Sequence, residues 1–253
     1  MTTEKKTKVL CCPDTHGDFE ATTQCINRFL KKEFDYLVFL GDEVDHWTRK
    51  DGDMMRNVNI MIPIKKMFPD RVILLHSNHT YPYFLEDPEE YRCSGFRQTL
   101  YPALHALIFP ERRLWQYAFG IKNHLFTHAG VSLNWYLANH KTLLSTAKRM
   151  GIETITAQNL WLILEGVGQT SNAPILHTVG AKRGGMDSDH GGPLWADKEE
   201  LLNSSLVGYA QIVGHNNVNH ITRIYPHKKR CESTSITFTD CLHAKTQFLE
   251  LEI

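Results

Sequence analysis

Five short apolar runs in this chain end in the same kind of residue. Val9–Cys12 is followed by Pro13-Asp14-Thr15-His16-Gly17-Asp18, and Tyr36–Leu40 by Gly41-Asp42-Glu43-Val44-Asp45-His46. Val72–Leu75 leads into His76-Ser77-Asn78-His79, Leu125–Thr127 into His128-Ala129-Gly130, and Ile212–Val213 into Gly214-His215-Asn216-Asn217. Short apolar runs closed by turn residues read as strands buried on both faces. In α/β sheets the carboxyl ends of the strands are where sites form. Strands leaving one sheet edge together would gather these carboxylates, amides and imidazoles in one cleft.

The segments between the runs set the fold class. Asp18 can cap a helix whose apolar face is Phe19, Ile26, Phe29 and Leu30. A second helix is expected from Met54 to Phe68, with Pro63 as a kink. The first third is therefore β-α-β-α-β, which favours a parallel sheet with right-handed crossovers. Pro88–Leu107 carries mixed helical signals. Leu114–Phe119 and His124–Thr127 read as two strands joined through Gly120 and Asn123, and Trp135–Met150 and Glu153–Leu164 as two helices parted near Gly151. Within the last of these, Trp161 lies at helical spacing with Leu164, as a core residue would. Val167–Gly192 is rich in Gly, Ser, Asn and His and reads as a long surface loop, a kind of segment that often serves function. Ala210–Val213, Ser235–Phe238 and Thr246–Leu251 return to strands. The whole chain, 1–253, is expected to be one α/β domain.

Bulk properties narrow the function. Lys plus Arg and Asp plus Glu each number 28 in the 253 residues, so the formal net charge is zero. That argues against extended nucleic-acid binding, which needs many basic contacts to phosphate. Lys228-Lys229-Arg230 reads as a solvated turn between strands. No apolar run is long enough to span a bilayer, and the start shows no signal peptide. The six cysteines form no CxxC pair, so a zinc ribbon is not expected; reduced thiols and a cytoplasmic setting are.

The strand-end residues have a common chemistry. Carboxylates, an amide oxygen and imidazoles suit borderline divalent metals such as manganese, iron or zinc. One carboxylate such as Asp42 can bridge two ions roughly 3.5–4 Å apart. Phosphate esters have very high uncatalysed barriers, and a pair of cations supplies the charge neutralisation their transition state requires.

Taken in order, these segments resemble the motifs of the calcineurin-like metallophosphoesterases, and most closely those of the phosphoprotein phosphatase branch, which also holds bacterial diadenosine tetraphosphatases and phage phosphatases. That branch is marked by DxHG, GDxVDRG, GNHE, HAG or HGG, a later Leu-Trp segment and a final histidine. Here they are Asp14-Thr15-His16-Gly17, Gly41-Asp42-Glu43-Val44-Asp45-His46, Ser77-Asn78-His79-Thr80, His128-Ala129-Gly130, Leu194-Trp195 and His215. The resemblance implies a β-sandwich flanked by helices, in α-β-β-α layers. It implies one divalent metal on Asp14, His16 and Asp42 and a second on Asp42, Asn78, His128 and His215, with manganese the first expectation and iron, zinc or nickel as alternatives. Asp45 and His79 become the outer pair, with His79 the proton donor to the leaving group.

The chain departs from the pattern at three places. The family's phosphate-gripping Arg is His46, the Gly before Asn78 is Ser77, and the Glu after His79 is Thr80. Arg49 and Arg183 are the candidates to replace the missing Arg, against a plain reading as solvated surface arginines. With His46 and Trp195 they make the expected substrate-binding set. The implied reaction is hydrolysis of a phosphate monoester, on a protein or a small molecule, by metal-activated water. Cleavage of dinucleoside polyphosphates or other nucleotides is the second reading, and a silent relative that uses the fold for protein binding is the third. The expected partner in the first two is a phosphorylated substrate, without a membrane.

Overall fold

The structure, a computed structural model, describes residues 6–226 and 233–253, so the basic Lys228-Lys229-Arg230 turn lies outside the described residues. Two five-stranded sheets form its centre. The first contains β1 (Lys8–Cys12), β2 (Tyr36–Phe39), β3 (Val72–Leu75), β4 (Trp115–Gln116) and β10 (Leu249–Glu252). Its order is β10-β1-β2-β3-β4, parallel except for β10 on the edge. The second contains β5 (Phe119–Ile121), β6 (His124–Phe126), β7 (Ala210–Val213), β8 (Thr222–Ile224) and β9 (Ser235–Phe238), ordered β5-β6-β7-β9-β8. Here β6, β7 and β9 are parallel, and antiparallel β5 and β8 close the edges.

The two-residue period of the strands separates three apolar layers. Val9, Cys11, Val38, Leu40, Ile73 and Leu75 face Phe119, Phe126 and Ile212 between the sheets. The alternate residues Leu10, Leu37, Phe39 and Leu74 pack outward under α1 (Phe19–Lys31), α2 (Asp51–Met67) and α3 (Tyr101–Ile108), against Ile26, Phe29, Met54, Met61 and Leu104. On the far side Leu125 packs with Trp135, Leu143, Ile163 and Leu164 of α4 (Leu133–Ala138), α5 (His140–Arg149) and α6 (Leu160–Gly168). A short α7 (Lys198–Asn203) seats Leu201 on Val213 and Phe238. This is the helix-flanked sandwich expected from the sequence. Each fully buried aliphatic or aromatic side chain in these layers contributes about 1.5–3 kcal/mol.

Several boundaries differ from the sequence reading, for physical reasons. Leu114–Phe119 is not one strand: Trp115–Gln116 pairs with β3 in the first sheet and Phe119 begins β5 in the second, so the chain changes sheets there. Gly120 lies inside β5 under the ring of Trp161, and the turn falls at Lys122, whose φ is 53°. The long helix expected over Trp135–Met150 breaks at Asn139, whose side chain donates to Trp135 O at 2.9 Å. Leu30 is half exposed, outside the apolar face of α1 that Ile26 and Phe29 define. Val167–Gly192 is less irregular than expected, holding 3-10 turns at Ala173–His177 and Ala181–Arg183. Among the described residues, no helix is long and apolar enough to cross a membrane.

Candidate metal centre

Parallel pairing brings the carboxyl ends of β1, β2 and β3 to one side, and those of β6, β7 and β9 meet them there. Asp14, His16, Asp42, Asn78 and His215 line one cavity of about 440 Å³. His128 lies fully buried beneath it. The ligand atoms of Asp14, His16 and Asp42 fall within 4.8 Å of one another, as do those of Asp42, His128 and His215. Asp42 belongs to both groups.

The local backbone is strained where these side chains turn inward. His16, Asp42, Asp45 and His215 all have positive φ, between 45° and 64°. Among the described non-glycine residues only Lys122 shares this feature. Such conformations cost about 1–3 kcal/mol each and persist where surrounding contacts enforce them. Those contacts are present. Asp42 N donates to Ser77 Oγ at 2.8 Å, and His16 N donates to Asp42 O at 2.7 Å. Ser77, a departure from the family's Gly, thus braces the loop that carries Asp42. Gly41, with φ +110°, permits this approach, since a Cβ there would stand 2.5 Å from Ser77 Cβ. Gly214 is required for closeness alone, because a Cβ would run into Asp14 Oδ1.

The hydrogen bonds assign the imidazole tautomers. His128 Nδ1 lies 2.8 Å from Leu40 O, and His16 Nδ1 lies 2.9 Å from Asp45 O. Carbonyls only accept, so Nδ1 carries a proton in both rings, and Nε2 is the nitrogen left to face the other ligand atoms. His16 Nε2 is 3.6 Å from Asp42 Oδ2, and His128 Nε2 is 3.5 Å from Asp42 Oδ1. His128 Nε2 also meets Asn78 Oδ1 at 2.7 Å, and burial draws this imidazole below its ordinary pKa. Asp14 Oδ1 and His215 Nε2 are buried without any partner. Oxygen and nitrogen lone pairs converging without donors are what a bound cation satisfies. The residues fit a divalent metal, with Asp42 placed to serve two.

Charges follow the same logic. Burial, then the neighbouring carboxylates Asp240 and Asp42, push Asp14 well above the usual carboxylate range. Burial opposes ionisation of Asp42 too, but His128, His79, His16 and His215 together hold it low. Burial, then His128 and Arg183, push His215 well below the ordinary imidazole value.

The outer pair is also assembled. His79 Nδ1 lies 3.3 Å from Asp45 Oδ2, and Tyr83 OH donates to Asp45 Oδ1 at 2.6 Å. Burial draws the His79 imidazole down, but Asp42 and Asp45 outweigh it and leave it raised. His79 N donates to Asp42 Oδ1 at 3.2 Å, which ties the pair to the shared carboxylate.

His46, Arg49, Arg183 and Trp195 line the same cavity. The arginines are not free surface groups. Arg49 Nη2 is 2.7 Å from Asp18 Oδ2; Arg183 donates to Asn216 Oδ1 at 2.5 Å, and its Nε lies 2.9 Å from Asp197 Oδ2. The loop holding His46 is pinned by Arg97, which donates at 2.5 Å to both His46 O and Arg49 O. Trp195 meets the His215 ring edge-on at 5.7 Å. Sequence reasoning missed Trp47, Asn217, Asp240 and His243, which also line the cavity. Asp240 had a usable signal, since it follows β9 just as His215 follows β7.

The layered fold and the strand-end donor set define a metal-dependent phosphoesterase class, and the chain belongs to the calcineurin-like phosphoesterase family, whose model matches residues 7–219. Among solved structures, the chain is similar to a protein serine/threonine phosphatase from Saccharomyces cerevisiae described as having similarity to human phosphatase PP5. The two are 16% identical, with 94% of this chain and 69% of that chain covered at a TM-score of 0.47. Among curated protein sequences none matches.

Proposed function

We propose that this chain hydrolyses phosphate monoesters, on phosphoproteins or small molecules, at a centre of two divalent metal ions. The observation that carries the reading is the position of Asp42, which presents one oxygen to His16 and the other to His128. Asp14, His16 and Asp42 would hold the first ion, and Asp42, Asn78, His128 and His215 would hold the second. The mixed oxygen and nitrogen donors suit manganese, with iron, zinc and nickel as alternatives. When bound, the ions neutralise phosphoryl oxygens and lower the pKa of water so that it attacks at neutral pH.

The protein's own groups do the rest. His79 gives a proton to the leaving oxygen, and Asp45, fixed by Tyr83, orients its ring. Arg49 and His46 on one wall and Arg183 and Trp195 on the other bind and orient the phosphorylated substrate.

One observation favours the second reading, cleavage of dinucleoside polyphosphates. Trp47 is 73% exposed at the cavity mouth beside His46, where a base could stack on it. The test is a panel of an aryl phosphate, phosphopeptides and dinucleoside polyphosphates, with manganese, nickel, zinc and magnesium added separately. Monoester turnover with manganese is expected. Preference for the dinucleotides selects the second reading, and a metal-loaded protein that turns over nothing overturns both in favour of a binding role.

A further inference from the structure

Three parallel strands of the second sheet end at the metal centre. β6 delivers His128 and β7 delivers His215. β9 delivers Asp240, two residues past Phe238, and no role has yet been given to it. Its residue is 3% exposed, and it lines the cavity together with Asp14, His16 and Asp42. Asn217 Nδ2 donates to Asp240 Oδ2, and Val218 N donates to Asp240 O at 2.8 Å. The loop that presents His215 therefore also fixes Asp240.

The charge of Asp240 acts on Asp14, Asp42 and His79. It belongs to neither group of ligand atoms that come within 4.8 Å of one another, although it lines the cavity beside them. Of the two cavity arginines, Arg49 pairs with Asp18 and Arg183 with Asp197. The imidazoles facing Asp240 are His16 and His243. Separately, the neighbouring Asp14 Oδ1 is buried with no partner at all. Three buried carboxylates with an orphaned oxygen among them are unfavourable by themselves and favourable around a cation.

We propose that Asp240 is a positioning residue of the first metal site, retaining the ion on Asp14, His16 and Asp42 through its charge and its hold on Asn217. The inference rests on the two-metal reading above. Outer carboxylates of this kind typically change metal affinity by about 10–100-fold. Their effect on the metal-free protein has the opposite sign, since removing a carboxylate from beside Asp14 and Asp42 relieves crowding of buried acidic groups.

The experiment is calorimetric titration of chelator-stripped protein with manganese, paired with thermal unfolding in chelator. For Asp240→Asn, one of the two binding steps should weaken about 10–100-fold, while the melting temperature in chelator equals or exceeds that of the wild type. Asp240→Glu should recover part of the lost affinity. A structural role would lower stability and affinity together, and that result overturns the inference, as does unchanged manganese binding. Wild-type protein that binds no divalent ion overturns the metal-centre reading itself, which separates the two failures.

Discussion

Thr80 Oγ1 donates a hydrogen bond to Glu43 Oε2, and both residues are almost fully buried. Position 80 is where the family motif places Glu, so the carboxylate missing there is present one strand away at position 43. Trp115 Nε1 donates to the other Glu43 oxygen at 3.3 Å, and Glu43 N donates to Thr80 Oγ1 at 3.4 Å. Burial pushes the Glu43 carboxyl up to about 7, against the pull of these donors. The departure at Thr80 is thus matched by a carboxylate at Glu43, the position that GDxVDRG leaves open.

This pairing predicts a pattern of stabilities. Thr80→Val removes a donor from a buried carboxyl and should cost about 1–3 kcal/mol. Thr80→Ser should cost much less. Thr80→Glu restores the family residue but sets a second carboxyl against Glu43, so it should cost more than Thr80→Val. Combining it with Glu43→Thr should recover part of that loss, a coupling that a double-mutant cycle isolates. Urea unfolding of these four variants and of Glu43→Thr alone measures it; additive effects would remove the coupling.

Removal of metal should abolish activity, and manganese should restore it. Asp42→Asn should cost more than the about 100-fold typical of an outer partner, because Asp42 is shared by both ligand groups. Elemental analysis of reconstituted protein should find two ions per wild-type chain and fewer in the variant. Two ions retained by Asp42→Asn would mean that this carboxylate does not bridge.

Much of this centre was legible in the sequence because its residues sit where apolar runs stop. Val9–Cys12 and Val72–Leu75 are continuous apolar runs, and Ala210–Val213 is apolar but for Gln211, so the residues that follow each fall at the sheet edge. The pairings across the core were not legible. Nothing local ties Tyr83 to Asp45, Thr80 to Glu43 or Asn217 to Asp240; only tertiary packing does. β8 and α7 were missed because they are short, and Thr222–Ile224 forms an edge strand with little apolar signal. The apolar stretch Leu114–Phe119 misled because it is shared between two sheets.

Arg183→Ala should lower kcat/KM by about 10–100-fold, the worth of a hydrogen bond to a charged group, chiefly through KM. Arg183 lines the cavity and is held by Asn216 and Asp197 for that placement. Arg112→Ala is the control, since Arg112 donates to Phe109 O on the exposed surface. Steady-state kinetics in which both variants match the wild type would remove Arg183 from the substrate site.

Acid should destabilise the fold through His177. Its Nε2 meets Tyr117 OH at 3.2 Å, and its ring packs 3.7 Å from Tyr81. Burial, with His76 nearby, holds its pKa down at about 3. The unfolded imidazole titrates near 6.5, so the unfolded chain takes up the proton first. The stability this neutral ring contributes is complete above pH 6.5 and is lost as pH falls toward 3. At pH 5 the loss from this one group is at most about 2 kcal/mol. His177→Phe should flatten the fall of the denaturant midpoint between pH 7 and 5; an unchanged slope would show that the ring titrates alike in the folded and unfolded chains.

His79 should matter in proportion to how poor the leaving group is. Its backbone is fixed beside Asn78, and its N–H reaches Asp42 Oδ1, so the ring is held at the metal centre without being one of the implied ligands. The ring turns its Nδ1 to Asp45, and Tyr83 fixes that carboxylate from the other side. A proton donor so oriented contributes about 10²–10⁴-fold when the departing oxygen is basic, and little when the oxygen leaves readily as an activated aryl oxide. His79→Asn should therefore cripple alkyl phosphates, spare activated aryl phosphates and leave metal content unchanged. Asp45→Asn should show the same selectivity, and the double variant should be no worse than the single ones, because the two residues act as one unit. Bound cations also bear on the proton's affinity for this ring, so the decisive comparison is between leaving groups at one pH rather than between pH values for one substrate. Equal losses on both classes of ester, or loss of metal from His79→Asn, would show that the ring braces the metal loop and donates no proton.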